Sequence, residues 1–130
     1  MNVLDTRTAA RLILVVRFIL GPACVLFPRF TSRWLMFTPP ALNPGTPYFL
    51  RLFGGRDTYL GVAAMIAKEP TRSQLLGAAA AVDALDACSA LAAGLKGNLP
   101  RRAAFFAAAA GIVGSALGLA AAGRGPLARH

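Results

Sequence analysis

Three apolar segments of the chain carry ionisable residues at their midpoints: Arg17, the adjacent pair Arg56 and Asp57, and the pair Asp83 and Asp86. A charge near the centre of a membrane span costs roughly 2.5–3.5 kcal/mol on insertion scales unless it meets a partner or water. Charges of both signs at one depth therefore point to helices that face one another around an internal polar cluster.

Composition agrees with a membrane setting. Hydrophobic residues make up 56% of the chain, above the soluble norm of about 45–50%, and the mean hydropathy is +0.57. The 130 residues fit a single domain, here one integral membrane domain over 1–130. The net charge is +9, which in a soluble protein would point to nucleic acid. Here the basic residues Arg7, Arg29, Arg33, Lys68, Arg72, Lys96, Arg101, Arg102 and Arg124 sit at the edges of apolar segments. That placement suits anionic headgroups, so the expected partner is the lipid bilayer and not nucleic acid. Three of the five acids, Asp57, Asp83 and Asp86, lie inside the apolar segments. Solubility does not explain acids kept there.

A span needs about 20 predominantly apolar residues, and four can be drawn: about 9–27, 48–67, 73–95 and 103–123. Gly21-Pro22 predicts a kink in the first, because proline removes a backbone donor and crowds the preceding turn. Residues 28–47 form an interfacial loop rich in proline (Pro28, Pro39, Pro40, Pro44, Pro47), with Thr31 as a cap for a short helix through Phe37. Trp34, beside Arg29 and Arg33, reads as an interfacial anchor. Pro70 and Thr71 predict a helix break and an N-cap before the third span, and Gly97 a C-cap after it. Gly54, Gly55 and Gly61 in the second span, and Gly114 and Gly118 in the fourth, predict close helix contact, either within the chain or between subunits. The fold class expected is all-α: a four-helix transmembrane bundle with an interfacial loop between helices 1 and 2. The basic residues split six against five between the two sides, which barely orients the chain; the reading adopted places both termini in the cytoplasm.

At about 1.5 Å per helical residue, Arg17, Arg56, Asp57 and Asp83 share one depth, and Asp86 and Arg51 fall on the loop side of it. Three Arg (17, 51, 56) and three Asp (57, 83, 86) make a cluster that can be neutral. Asp83 and Asp86 share a helix face, whereas Arg56 and Asp57 point about 100° apart. The pairing expected is Arg17 with Asp57, and Arg56 with Asp83 or Asp86. The cluster either holds the helices in register or lines a polar cavity for a head group, an anion or a proton. Cys24 and Cys88 both fall on the loop side of helices 1 and 3, so a disulfide is allowed if those helices touch; free buried thiols are the commoner outcome.

The string Arg51-Leu52-Phe53-Gly54-Gly55-Arg56-Asp57-Thr58-Tyr59-Leu60-Gly61, followed by an Asp in the next apolar helix, resembles a group of small bacterial membrane proteins of unknown function, frequent in actinobacteria. Members have four predicted helices and a Gly-x-Arg-Asp-x-x-Leu-Gly motif in the second. The likeness covers residues 10–95, with Gly55, Arg56, Asp57, Gly61 and Asp83 at motif positions. More distantly the chain is similar to DoxX-like four-helix membrane proteins, some linked to redox or thiol metabolism. The resemblance implies fold and location, and supplies no activity.

No phosphate loop, zinc spacing or nucleophile–His–acid set is present, so no catalytic residue, metal ligand or cofactor is assigned. The expectation is a non-enzymatic, multi-pass protein of the inner membrane, an accessory or small-ligand-binding protein, alone, as a homo-oligomer or within a larger membrane complex. The alternatives are a subunit of a proton- or ion-coupled small-molecule transporter, a DoxX-like membrane redox component, and a soluble basic helical protein.

Overall fold

The structure, a computed structural model, describes residues 5–34 and 45–123. Phe37, Pro39, Pro40 and Pro44 of the expected loop, and the tail from Arg124 to His130, lie outside the described residues. Among the described residues the chain forms five helices and no strand: α1 (Thr6–Leu26), α2 (Pro28–Trp34), α3 (Thr46–Ile66), α4 (Thr71–Leu95) and α5 (Arg101–Ala121). The four long helices match the four expected spans to within about one turn of helix.

Local chemistry sets the helix ends. Asp5 caps α1, its carboxylate accepting from the Thr8 amide at 2.7 Å. That bond holds the Asp5 carboxyl below the usual carboxylate range. α1 then runs through Pro22 without a break. The short helix α2 begins at Pro28, earlier than the expected Thr31. Proline suits a first turn, where the amide would lack a partner anyway. Thr31 sits inside α2, and its hydroxyl donates back to the Ala23 and Phe27 carbonyls at 3.0 and 2.8 Å. It thereby closes the C-terminal end of α1. Thr71 is the first residue of α4 and not its cap. Glu69 does that work, accepting from the Ser73 amide at 3.3 Å and the Ser73 hydroxyl at 2.6 Å. Gly97 ends α4 as expected: it takes φ of 76°. Its amide donates to Gly94 and the Asn98 amide to Ala93, the two bonds of a Schellman motif.

The long helices run up and down in turn. α1 packs against α3, α4 packs most closely against α5, and α1 joins the two hairpins by packing on α5. The α3–α4 seam is thinner, and α1 and α4 lie diagonally across the bundle without packing on each other. Ala9, Ala10, Ile13, Ala64, Leu76, Ala120, Ala121 and Ala122 plug the end of the bundle that holds the start of α1.

The distribution of side chains is that of a helical membrane protein. The core is mostly alanine, glycine and a few charges, and the largest fully buried side chains are Ile13, Cys24 and Ser32. The bulky apolar residues face outward, among them Ile19, Phe49, Tyr59, Ile66, Leu85, Phe105 and Ile112. Helices α1, α4 and α5 are long and apolar enough to cross a membrane. α3 is the same length as α1 but carries Arg51, Arg56 and Asp57 within any 18-residue stretch. Trp34, expected as an anchor, is exposed on α2 and meets Phe30 with ring centroids 6.1 Å apart.

Glycine makes the close contacts possible. A Cβ added to Gly54 would strike the carbonyl oxygen of Gly21, and one on Gly21 would lie 2.6 Å from the Thr58 hydroxyl. On α5 the Gly114/Gly118 pair faces α4 within the same chain. A Cβ at Gly118 would fall 2.9 Å from the Ala80 Cβ, and one at Gly114 2.8 Å from Asp83 Oδ2. Gly61 lies against the root of Arg17. Gly55 departs from expectation: it faces outward and nothing lies within 4 Å of the place its Cβ would take. Being adjacent to Gly54, it turns about 100° away from the α1 contact.

These environments predict opposite outcomes for one added methyl. At Gly111 a Cβ would sit 2.6 Å from the Asp83 carbonyl oxygen and 2.9 Å from the Ala87 Cβ. Overpacking of this kind costs about 1–3 kcal/mol, so Gly111→Ala lowers the thermal unfolding midpoint in detergent. Gly55→Ala raises it, because a helix-interior glycine costs about 0.5–1 kcal/mol relative to alanine.

Candidate functional site

Arg17 lies one residue from the midpoint of α1, Asp57 one residue from the midpoint of α3, and Asp83 at the midpoint of α4. Their side chains meet in the centre of the bundle. The Arg17 guanidinium donates through Nη1 to Asp57 Oδ1 and through Nη2 to Asp83 Oδ2, the latter at 2.7 Å. All three side chains are at least nine-tenths buried, with 3%, 5% and 10% exposed. One guanidinium thus spans three helices, using the fork geometry that lets arginine meet two carboxylates at once.

The second pair is Arg56 with Asp86. Arg56 Nη1 and Nη2 donate to Asp86 Oδ1 and Oδ2 at 3.2 and 2.5 Å. This fork crosses the thin α3–α4 seam and is about one-third exposed on both sides. Arg56 also lies over the Phe53 ring, 4.9 Å from its centroid, where the ring face attracts a cation. Its Nε is buried and has no acceptor among the described residues.

The expected pairs Arg17–Asp57 and Arg56–Asp86 are both formed. Two features differ from expectation. Asp83 pairs with Arg17 and not with Arg56, because Asp83 and Asp86, three residues apart, diverge enough that one faces the bundle axis and the other the α3 seam. Arg51 does not join the cluster. It is exposed, and among the described residues it has no ion pair. It lies in the second turn of α3, from which its long side chain can reach the headgroup level. The cluster therefore holds three carboxylates against two guanidiniums, one negative charge in excess when all are ionised.

Beside this cluster lies a cavity of about 490 Å³, reached between the hairpins. Arg17, Asp57, Asp83 and Asp86 form its charged wall, Thr46 and Ser89 add hydroxyl residues, and the rest is apolar, including Val16, Leu20, Phe49, Phe53, Phe106 and Val113. A volume in the range of about 300–1,000 Å³ with a few convergent polar groups is the usual form of a small-molecule site. Sequence reasoning missed the α5 side of this cavity, Ala107, Ala110, Gly111 and Gly114, since alanine and glycine carry no chemical signal of their own. It also missed that Gly114 makes room for the Asp83 carboxylate. Asp57 Oδ2 and Asp83 Oδ1 receive no donor from the described residues, and neither is a sealed, unsatisfied atom. Both residues line the cavity.

Cys24 and Cys88 are both free, the first buried on α1 and the second exposed on α4. Their helices are the diagonal pair that does not pack, so no bridge joins them. Among the described residues, no three His, Cys, Asp or Glu side chains gather as metal ligands.

The chain matches no protein-family model, no curated protein and no solved structure.

Removing one partner of a buried ion pair costs about 3–5 kcal/mol, because the charge left behind stays buried. Arg17→Met strands two carboxylates and is expected to cost at least that much in detergent unfolding. The triple variant Arg17→Met/Asp57→Leu/Asp83→Leu, which removes the charges together, recovers most of the loss. Arg56→Gln, which leaves Asp86 unanswered in the partly exposed pair, costs less than Arg17→Met, up to about 2.5–3.5 kcal/mol.

Proposed function

We propose that the chain is a four-span integral protein of the bacterial inner membrane that binds a small amphiphilic molecule between its two hairpins, as an accessory or ligand-binding protein. The observation that carries this reading is the juxtaposition of a buried, three-helix Arg17–Asp57–Asp83 bridge with a largely apolar cavity that all three residues line. A cluster that served registry alone would be closed over by apolar side chains. Here space of ligand size adjoins it.

α3 is the fourth span in this reading. Its charges do not bar it from lipid: Asp57 is spent on Arg17, Arg56 is spent on Asp86, and Arg51 lies near the helix end. Its length, Thr46–Ile66, equals that of α1. A redox role through a Cys24–Cys88 pair is disfavoured by the separation of α1 and α4.

Two experiments test the reading. Reporter fusions placed within 35–44 and within 67–70 report opposite sides of the membrane if α3 spans it; the same side for both would remove the four-span arrangement. For binding, the purified chain in nanodiscs is titrated with three 1-substituted adamantanes bearing hydroxyl, ammonium or carboxylate groups, followed by saturation-transfer NMR against empty nanodiscs. Saturable binding of at least one, lost in the cavity-filling variant Ala107→Phe, is expected. Binding of none would leave the cluster as a structural brace and would end the ligand-binding reading.

A further inference from the structure

We infer that the polar wall of the cavity recognises an organic cation: the ammonium head of a small lipophilic amine, with the apolar body held by the phenylalanine-rich walls. The inference rests on the ligand-binding reading above and adds the chemical class of the ligand.

Three features of the wall point this way. The first is charge. Arg17 is shared by two carboxylates and Arg56, which does not line the cavity, is spent on Asp86, so the cluster behind the wall holds three negative groups and two positive ones. The missing countercharge is one cation. Arg51, the residue that could have supplied it, is exposed on the outer surface of α3.

The second is hydrogen-bond polarity. Asp57 and Asp83 are 95% and 90% buried as side chains, yet each accepts only one bond from Arg17. Their second oxygens, Asp57 Oδ2 and Asp83 Oδ1, receive no donor from the described residues, and both residues line the cavity. A carboxylate is acceptor-only, so these positions call for a donor. An ammonium supplies up to three N–H donors and one positive charge. A carboxylate or phosphate head would bring only acceptors and would face three like charges.

The third is the apolar lining. Phe49, Phe53 and Phe106 border the same space, and phenyl faces attract ammonium groups. Phe53 already carries the Arg56 guanidinium on its face, so cation attraction by this wall is visible within the chain itself. A bare metal ion is a poorer fit, since the carboxylates do not converge as a ligand set. An organic cation with a compact apolar body satisfies charge, donors and volume together.

The head-group comparison uses the same nanodiscs and the same adamantane body, so hydrophobic burial is held constant. 1-Adamantylamine, protonated at pH 7 like other alkyl amines, should bind about tenfold or more tightly than 1-adamantanol. Adamantane-1-carboxylate should compete poorly or not at all. Asp83→Asn should lower the amine-over-alcohol preference by about tenfold. Because Asp83→Asn also disturbs the Arg17 bridge, Asp86→Asn, on the partly exposed pair, provides a second variant: it should weaken the amine in the same direction. Equal binding of amine and alcohol, or a preference for the carboxylate, would overturn the cation inference while leaving the ligand-binding reading intact. Absence of saturable binding by all three would bring down both.

Discussion

The rest of the structure depends on Arg17 being shared. A single guanidinium on α1 answers a carboxylate on its neighbour α3 and a carboxylate on α4, the helix diagonally opposite. α1 and α4 make no backbone approach of their own, so this side-chain bridge is what spans the diagonal. The adjacent contacts are made by small residues, and the diagonal is made by charge. Removing charges from water is costly, and the attraction between them repays that cost only when the remaining polar atoms also find partners. Asp57 Oδ2, Asp83 Oδ1 and the buried Arg56 Nε have none among the described residues.

The second constraint is steric. α4 and α5 pack most tightly because Gly111, Gly114 and Gly118 present no side chain to α4. Without a hydrophobic driving force between helices in lipid, such contacts supply much of the association. The same absence of side chains has a chemical effect at Gly114, where the vacated volume is filled by the Asp83 carboxylate. Helix packing on one side of α4 and ion pairing on the other are therefore coupled through a single residue. The thin α3–α4 seam is the counterpart. Closure is tight where glycine allows it, and between α3 and α4 the bundle stays open enough to leave the cavity.

Much of this was legible in the sequence, and what was not has physical reasons. The four long helices follow from apolar runs of span length, and the central depth of Arg17, Asp57 and Asp83 follows from helical rise alone. The Arg17–Asp57 pair was also readable, as was an α4 carboxylate for Arg56, because complementary charges at one depth have few partners to choose from. The choice between Asp83 and Asp86 was not readable. It depends on the rotation of α4 about its axis, and an alanine-rich helix with small residues on all sides gives almost no amphipathic signal to fix that rotation. Arg51 was misplaced for a related reason: depth is encoded in sequence position, but facing is not. Gly55 shows the same limit, since adjacent glycines look equivalent in sequence and only Gly54 meets α1. The helix starts at Pro28 and Thr71 lie a few residues before those expected: proline fits a first turn in α2, and Glu69 takes over in α4 the capping expected of Thr71.

The division of charge between the two hairpins has a consequence for how the chain is built in the cell. α1 and α3 carry Arg17, Arg51 and Arg56 against Asp57 alone, whereas α4 carries Asp83 and Asp86 and α5 carries no charge in its interior. Neither half is electrically matched by itself. The half made first enters lipid with an unanswered guanidinium, and α4, poor in large apolar side chains, enters with two unanswered carboxylates. Each half is the other's counterion. In the four-span arrangement proposed above, insertion and folding are thus one event: the second hairpin becomes a stable resident of the bilayer when it finds the first already there.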